Sequence, residues 1–392
     1  MTRSFADAWA RRALVARRPD EDGLFVALAP MDGVTDWVYR ELMTDLAAGH
    51  SGISLCVSEF VRVTDHRVPD RVLFRHCPEI RTGGVTRAGV PVFVQILGGD
   101  PGPMAATAAR AIELGAPGVD INFGCPAKTV NNHDGGATIL KCPGRVEAIT
   151  AAVRRAVGDG APVTVKIRLG WDDAESVQDI ARAAEAGGAA WLTIHARTRT
   201  QLYRPPVDWV ALGRARQAVA MPVVANGDVD TVDALKACAA ASGCAAFMIG
   251  RGAMGRPRLF RAIRGADEPD LDLPWLSELL RDYVARLLAA GAPERAALGR
   301  FKQWLRLGAP AFPELRALFD ATKRCNALSD ALQRAERRAG PPGGHAVAGS
   351  RTDAPDGAFT GADRGTATSG PTPCRWPAAG PRSPGSISPR MR

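Results

Sequence analysis

The sequence predicts an α/β fold: a (β/α)8 TIM barrel followed by a small C-terminal helical domain. Two observations predict the barrel. Short apolar runs alternate with segments of helical periodicity, and eight such runs are evenly spaced between residues 24 and 249. A doubly wound sheet is the competing fold, but the even spacing and the count of eight favour the barrel. The predicted strands are Leu24–Leu28, Leu55–Ser58, Val92–Ile96, Val119–Asn122, Val163–Ile167, Trp191–His195, Val223–Ala225 and Ala246–Ile249.

Helical segments lie between most of these strands. Gly115 and Gly187 follow two of them, and a glycine at this place is typical of a helix C-cap. The strand and helix patterns together therefore predict repeated β-then-α units. The predicted helices are Asp36–Ala47, Met104–Leu114, Arg145–Val157, Ala174–Ala186 and Asp230–Ala240.

The chain changes character after the last predicted strand. Strand-like runs stop after Arg256, and helical periodicity continues from Pro274 to Arg338, where Pro293 and Pro313 indicate at least three helices. The end of the chain holds ten glycines and nine prolines among 53 residues, a composition that predicts disorder. The predicted regions are an N-terminal extension (1–22), a barrel (23–262), a helical domain (263–339) and a disordered tail (340–392).

Composition narrows the class of protein. No apolar run approaches the roughly 20 residues that a membrane-spanning helix needs, so no membrane association is expected. The eight cysteines include no CxxC pair, so neither a metal site nor a thioredoxin-type motif is indicated. They are typical of reduced thiols in a cytoplasmic protein. The net charge of +9 suits a polyanionic partner.

Polar and glycine residues follow the predicted strands at their C-terminal ends, where the active sites of such barrels lie. Cys125 follows the fourth strand on a Gly-Pro turn, where a thiol can meet a ligand. Lys166 lies on the fifth strand, where a buried cation needs an anionic partner, and His195 ends the sixth. The loops after the last two strands, NGD (226–228) and GRGAMG (250–255), favour a phosphate site.

The helical region carries basic clusters. Arg295, Arg300, Lys302 and Arg306 surround Trp304 in sequence, and Lys323 and Arg324 form a second cluster. A basic module beside a barrel mouth can hold a phosphate backbone, although a solvated basic face is the plainer explanation.

Eight segments of the chain resemble the flavin-dependent tRNA-dihydrouridine synthases. The similarity covers residues 24–335 and includes FKQWL (301–305), and residues 56–80 are similar to the bacterial subgroup that acts on uridine 16 of the tRNA D-loop. The eight segments are APMDGVTD (29–36), SEFVRV (58–63), VQILG (94–98), DINFGCPAKTVN (120–131), VKIRLGW (165–171), IHARTRTQLY (194–203), VANGDV (224–229) and MIGRGAMG (248–255).

The resemblance implies a barrel that holds FMN, reduced by NADPH, and a helical domain that binds tRNA. It implies that a tRNA uridine is reduced to 5,6-dihydrouridine and that Cys125 is the catalytic acid. Implied FMN contacts are Pro30, Met31, Asp32, Gln95, Lys166, His195, Asn226, Gly227, Asp228, Gly250 and Arg251. Implied tRNA contacts are Arg62, Asn122, Tyr203, Arg300, Lys302 and Lys323. We expect a monomer.

The chain departs from the family pattern in places. His133 and Asp134 stand where small residues and glycines are more usual, and Leu307 stands where the subgroup tends to carry an aromatic residue. Two other functions compete with the one implied. One is an FMN-dependent barrel oxidoreductase that acts on a small pyrimidine or another small molecule. The other is a non-catalytic RNA-binding protein.

Overall fold

The structure is a computed structural model that describes residues 24–47, 52–267 and 272–340. The predicted N-terminal extension and, apart from Gly340, the predicted tail lie outside these ranges. The predictions for those two regions are therefore not addressed by the structure.

Eight parallel strands form a closed barrel, as the sequence predicted. Neighbours in sequence pair around the ring, β9 pairs with β1, and the pairing of β2 with β4 completes the circle. A two-residue strand, β3, pairs only with the end of β4. The strands are β1 Phe25–Leu28, β2 Leu55–Val57, β3 Val61–Arg62, β4 Val92–Leu97, β5 Val119–Asn122, β6 Val163–Arg168, β7 Leu192–His195, β8 Val223–Asn226 and β9 Ala246–Ile249.

The strand register brings the polar strand ends together. Asn122 is paired with Lys166, and His195 is paired with both Arg168 and Asn226. Because all strands are parallel, these side chains share one end of the barrel.

Helices surround the strands and continue beyond them. Side-chain caps begin several of them: the carboxylate of Asp36 accepts the N–H of Tyr39 at 2.9 Å, and Thr231 accepts the N–H of Ala234 at 3.0 Å. The helices are α1 Trp37–Leu46, α2 Asp70–His76, α3 Pro101–Glu113, α4 Lys128–Asn131, α5 Pro143–Val157, α6 Val177–Ala186, α7 Trp209–Gln217, α8 Val232–Ser242, α9 Gly252–Gly255, α10 Leu259–Ile263, α11 Leu273–Ala289, α12 Glu294–Gly308, α13 Glu314–Thr322 and α14 Leu328–Ala339.

The C-terminal helices α11 to α14 pack on the barrel through Trp304 of α12. Its buried indole donates to the carbonyl of Met254 at 2.7 Å, and its ring lies 5.0 Å from that of Tyr39. The backbones of α9 and α12 touch at two glycines: a Cβ at Gly255 would lie 2.6 Å from the carbonyl oxygen of Gly308. The helical region and the barrel therefore share one hydrophobic core.

A fully buried ion pair joins α1 to the short 3-10 helix Pro78–Thr82. Arg40 is 0% exposed, and its guanidinium donates to both carboxylate oxygens of Glu79 at 2.8 Å. It also donates to the carbonyl oxygens of Thr35 and His76, at 2.8 Å and 3.1 Å. Most of its donors are thus paired, as a buried charge requires.

Candidate active site

Cys125 lies on a loop that leaves β5 at the barrel mouth. The side-chain oxygen of Asn122 accepts the backbone N–H groups of Gly124 and Cys125, at 2.9 Å and 3.0 Å. Further along, the backbone folds back so that Ala137 donates to the carbonyl oxygen of Cys125 at 3.1 Å. This fold requires glycine at 136, where φ is +61° and a Cβ would lie 2.8 Å from that same oxygen. Local backbone contacts therefore fix the position of the cysteine.

The thiol of Cys125 is partly exposed and stays protonated. Burial raises its pKa, and the charge of Asp32 raises it further, while Arg168 and Lys166 act in the opposite direction. A thiol whose pKa is raised is a proton donor rather than a thiolate nucleophile at neutral pH. The group can therefore act as a general acid.

Arg168, the last residue of β6, holds the cysteine loop from the neighbouring strand. Its Nε–H donates to the carbonyl oxygen of Gly124 at 2.9 Å. Its Nη1 donates to the carbonyls of Thr198 and Leu202, at 2.9 Å and 2.7 Å. One buried guanidinium thus connects the loops that follow β5 and β7.

Lys166 and His195 line the mouth next to this loop. Lys166 donates to the side-chain oxygen of Asn226 at 3.2 Å, and burial lowers its pKa to about 8. His195 is 8% exposed, and within the described residues its Nδ1 has no hydrogen-bond partner. Burial lowers the pKa of His195 well below its usual value, and nearby cations including Arg168 lower it further, so the ring is neutral.

The two glycine-rich loops meet at Asp228. Its carboxylate accepts from Arg197 and, at 3.2 Å, from Arg251, and its φ is +50°. Gly227 has φ +123°, and a Cβ there would lie 3.4 Å from the ring of His195. The predicted residues Asn226, Gly227, Asp228 and Arg251 are therefore brought together, with Arg251 turned toward the loop after β8.

The loop after β1 lies on the other side of β9. A Cβ on Gly250 would lie 3.4 Å from the sulfur of Met31, so these two predicted residues adjoin. Pro30 is half-buried and Asp32 exposed. Although Asp32 reaches solvent, partial desolvation by the surrounding protein raises the pKa of its carboxyl group, while the charge of Arg300 lowers it. Gln95 is wholly buried, and its side-chain oxygen accepts from Asn122 at 2.9 Å.

Tyr203 and Arg62 are two exposed members of the predicted tRNA contacts, beside Lys323. Tyr203 is 54% exposed, and its ring lies 5.2 Å from the guanidinium of Arg168 and 4.9 Å from that of Arg251. Arg62 is also exposed and lies 3.5 Å from the carbonyl oxygen of Thr129. Both are positioned to meet a large ligand at the rim.

The other predicted tRNA contacts engage the protein itself. Arg300 of α12 pairs with Asp36 at 3.3 Å and with Glu59 at 3.7 Å. Lys302 donates to the carbonyl oxygens of Lys323 and Cys325 at the end of α13, at 3.1 Å and 2.5 Å. The ammonium of Lys323 pairs with Asp320. The side-chain amide of Asn122 is likewise engaged within the cysteine loop.

A family profile described as dihydrouridine synthase matches residues 27–336 of the chain. The chain belongs to the dihydrouridine synthase family. A tRNA-dihydrouridine(16) synthase of Aquipseudomonas alcaligenes is 44% identical over 304 residues, covering 76% of this chain and 95% of that protein. One of Cupriavidus necator is 44% identical over 321 residues, covering 81% and 97%. One of Ralstonia nicotianae is 45% identical over 308 residues, covering 78% and 93%. The recognition made from the sequence is confirmed.

The departures of this dihydrouridine synthase from the family pattern have structural partners. Asp134, with φ +56°, receives two hydrogen bonds of 2.6 Å from Arg145 of α5. Arg145 also donates to the carbonyl of Gly99, and a Cβ on Gly99 would lie 1.9 Å from the carbonyl oxygen of Asp134. His133 approaches the carbonyl of Thr129 at 2.6 Å. The unusual pair thus joins the cysteine loop to α5 and to the loop after β4.

Three residues with clear roles in this dihydrouridine synthase site were given no specific contact from the sequence, although Arg168 and Arg197 stand among the polar residues at the predicted strand ends. They are Arg168, Arg197 and Asp120. Each is a charged residue in or directly after an otherwise apolar strand, and that position is the signal that could have identified them.

Within the part of the dihydrouridine synthase that the structure covers, no helix has the length and apolarity to cross a membrane. Among the same residues, no cluster of three or more His, Cys, Asp or Glu side chains could bind a metal ion.

Proposed function

We propose that this chain reduces a uridine in the D-loop of tRNA, at position 16, to 5,6-dihydrouridine, using FMN that NADPH reduces and Cys125 as the proton donor. The relatives named above as tRNA-dihydrouridine(16) synthases support the substrate, because they match across nearly their whole length. The observation that carries the mechanism is the placement of Cys125, a partly exposed protonated thiol at the barrel mouth, close enough to Lys166 to feel its charge.

The residues at the mouth fit a flavin. His195 has a buried Nδ1 that lacks a partner in the described chain. Lys166 donates a hydrogen bond to the amide oxygen of Asn226, and among the same residues no carboxylate forms an ion pair with it. An anionic, hydrogen-bonding ligand would satisfy both groups. Lys166, His195 and Gln95 would hold the ring, and Gly227, Gly250 and Arg251 would hold the phosphate. FMN held by these residues would supply a hydride to C6 of the uracil ring.

The protein supplies the second half of the reduction. Addition of hydride at C6 leaves negative charge that a proton at C5 must neutralise. Cys125 gives its Sγ proton to C5, and the raised pKa keeps that proton in place until it is needed. The positive charge of Lys166 stabilises anionic character in the cofactor ring. Solvent protons then restore the thiol, which is partly exposed.

The helical region 263–339 serves as the tRNA-binding domain in this proposal, and the barrel region 23–262 as the catalytic domain. A uridine in the D-loop must leave its stacked setting to reach Cys125. Tyr203 and Arg62 at the rim would meet the RNA, along with Arg300, Lys302 and Lys323 from the helices. The cytoplasm is the compartment where tRNA and NADPH are both present, and one protomer carries all the groups named, so a monomer suffices.

The experiment has two parts. Purified protein should be yellow, with a flavin absorbance that NADPH bleaches. Incubation with NADPH and tRNA from a strain lacking dihydrouridine should then place dihydrouridine at position 16, as read by primer-extension mapping. Reduction of free uracil or orotate in place of tRNA would support a small-molecule enzyme. A colourless preparation that binds tRNA without modifying it would reject the proposal.

A further inference from the structure

A continuous chain of hydrogen bonds connects a buried carboxylate to the backbone of the cysteine loop. Asp120 lies on β5 and is 1% exposed. Its carboxylate accepts from the hydroxyl of Thr164 at 2.5 Å and from the side-chain amide of Gln95 at 2.6 Å. The oxygen of Gln95 accepts from Asn122, whose own oxygen accepts the N–H of Cys125.

The direction of this chain is set at both of its ends. Backbone N–H groups can only donate, so those of Gly124 and Cys125 require the oxygen of Asn122 to face them. The amino group of Asn122 must then face Gln95, which must present its oxygen. At the other end burial raises the pKa of Asp120, while the hydrogen bonds from Thr164 and Gln95 and the charge of Lys166 lower it. Thr164 donates to one oxygen of Asp120, and the other oxygen, which as a carboxylate only accepts, requires Gln95 to present its amino group. Both ends therefore demand the same orientation of the Gln95 amide.

We infer that Asp120 is a positioning residue, which orients the amides of Gln95 and Asn122 and through them holds the backbone of Cys125 in place. The inference rests on the proposed function in one respect, namely that Cys125 is the proton donor. Asp120 itself is closed off from the mouth by burial and touches no reacting atom. Its effect passes through hydrogen bonds whose polarity can be reversed by substitution.

A competing explanation is that Asp120 acts only through its charge. Lys166 lies close enough for its charge to affect the pKa of Asp120, and the reverse also holds. The two explanations differ for the isosteric change Asp120→Asn. An asparagine there can still accept from Gln95 while its amino group faces the hydroxyl of Thr164, so hydrogen bonding survives and the charge is lost.

Substitutions that reverse the direction of the hydrogen bonds between residues 120, 95 and 122 test the inference. In Asn122→Asp, the new carboxylate still accepts the backbone N–H groups but offers Gln95 no donor. Gln95 would then stand between two carboxylates with only one amino group. In the double variant Asp120→Asn with Asn122→Asp, the two bonds of the Gln95 amide can reform with opposite polarity: residue 120 donates to Gln95, and Gln95 donates to residue 122. Thr164 still donates to residue 120, and the backbone N–H groups still donate to residue 122.

The measurement is the rate at which iodoacetamide alkylates the Cys125 thiolate in the flavin-loaded protein, quantified on the peptide that contains it, together with the thermal midpoint. Because a carboxylate at 122 raises the pKa of the thiol, the rate is corrected for the thiolate fraction, which its pH dependence gives. We expect alkylation about tenfold faster in Asn122→Asp, equivalent to about 1.4 kcal/mol of loop stability, and a lower midpoint. Asp120→Asn should stay close to the wild type, and the double variant should return toward it.

A double variant that is no better than Asn122→Asp would overturn the inference, and so would an Asp120→Asn variant as reactive as Asn122→Asp. If Asn122→Asp fails to fold, recovery of folded protein in the double variant supports the inference and continued failure rejects it. Neither readout depends on uridine reduction. Failure of Cys125 as proton donor would be detected separately, by activity in a Cys125→Ala variant.

Discussion

Arg168 donates its Nε–H to the carbonyl oxygen of Gly124 at 2.9 Å, so the end of β6 holds the residue that precedes Cys125. The same guanidinium donates to two carbonyls in the loop after β7. The position of Cys125 thus depends on β6 and on the loops after β5 and β7, and not on the cysteine motif alone.

Replacement of Arg168 by methionine should lower both activity and stability. The change leaves three carbonyls without this donor, and for the buried one, that of Thr198, the unsatisfied group costs about 1–3 kcal/mol. We expect kcat for dihydrouridine formation to fall by about 100-fold, the cost of a misplacement of about 1 Å. Arg214→Met, on the exposed face of α7, is the matched control and should leave both quantities unchanged. Equal kcat values in the two variants would contradict the proposal that Arg168 holds the cysteine loop in position.

Cys125→Ala should retain the flavin and lose most of its activity. General acid catalysis contributes about 10²–10⁴-fold, so kcat should fall within that range while the flavin absorbance per mole of protein stays constant. The check is single-turnover oxidation of the reduced flavin by tRNA. Cys142→Ala removes another accessible thiol from the same loop region and should react at the wild-type rate.

The affinity for FMN should decrease above pH 8. Lys166 has a pKa lowered to about 8, so its ammonium form is present below that pH and is lost as the pH rises through it. If the ammonium form binds the cofactor, affinity for the apoprotein falls about tenfold per pH unit above 8. Quenching of FMN fluorescence measures this, and Lys166→Met should show a flat profile between pH 8 and 10.

The same titration of Lys166 should make the apoprotein more stable as the pH rises above 8, whereas the affinity for FMN falls over that range. Its pKa in the unfolded chain is the ordinary one, about 10.4. Between pH 8 and that value the unfolded chain binds a proton that the folded chain does not, so this residue makes the free energy of unfolding rise with pH. Urea unfolding of wild type and Lys166→Met, compared at pH 7.5 and 9.5, isolates the contribution.

Arg62→Ala and Lys302→Ala should affect tRNA binding differently. Arg62 is exposed and contacts Thr129 only at 3.5 Å, so its loss should weaken tRNA binding and reduce the salt slope by about one without changing the thermal midpoint. Lys302 also donates to two carbonyls at the end of α13, so its loss should lower the midpoint as well. Filter binding between 50 and 200 mM salt, with thermal unfolding alongside, separates the two. A midpoint that falls in Arg62→Ala would show a structural role instead.

Arg40→Met should destabilise the fold more than the removal of both partners of its ion pair. The single change leaves the carboxylate of Glu79 buried and unpaired, which costs about 3–5 kcal/mol. The double change Arg40→Met with Glu79→Leu removes that uncompensated charge and should recover much of the loss. Urea unfolding monitored by tryptophan fluorescence measures both. A double variant less stable than the single would show that the pair itself stabilises the fold.

The alternation of apolar runs and helical segments was sufficient to predict the barrel. Each buried parallel strand requires a short apolar run, and each strand is followed by a helix, so eight units give a regular repeat in the sequence. The positions of Lys166 and His195 at the barrel mouth were predictable for a related reason. A charged or polar side chain in or at the end of an apolar strand requires a polar partner, and in such barrels the strand ends line the active site. The partners of Arg300 were not predictable. Its pairing with Asp36 and Glu59 depends on how α12 sits on the barrel, and no local pattern encodes that.

The hydrogen bonds that connect Asp120, Gln95 and Asn122 to the backbone of Cys125 could not be predicted from the sequence either. Gln95 and Asn122 were predicted as ligand contacts, and both amides also form hydrogen bonds within the protein that the sequence did not reveal. Whether an amide faces a ligand or a neighbour depends on distances across strands, and those follow from the register of β4 on β5. Lys302 is a similar case, because its carbonyl partners lie 21 and 23 residues away along the chain.

The short strand β3 has one more consequence. Arg62 stands on a backbone that is already tied to β4, through the register with Leu97 and the bond from Val63 to the carbonyl of Leu97 at 2.8 Å. An arginine on a free loop loses backbone entropy when a phosphate captures it, about 1–2 kcal/mol for each residue that becomes ordered. At Arg62 that entropy is lost during folding, so in the proposed contact with tRNA only the freedom of its side chain, and not that of its backbone, would be lost on binding.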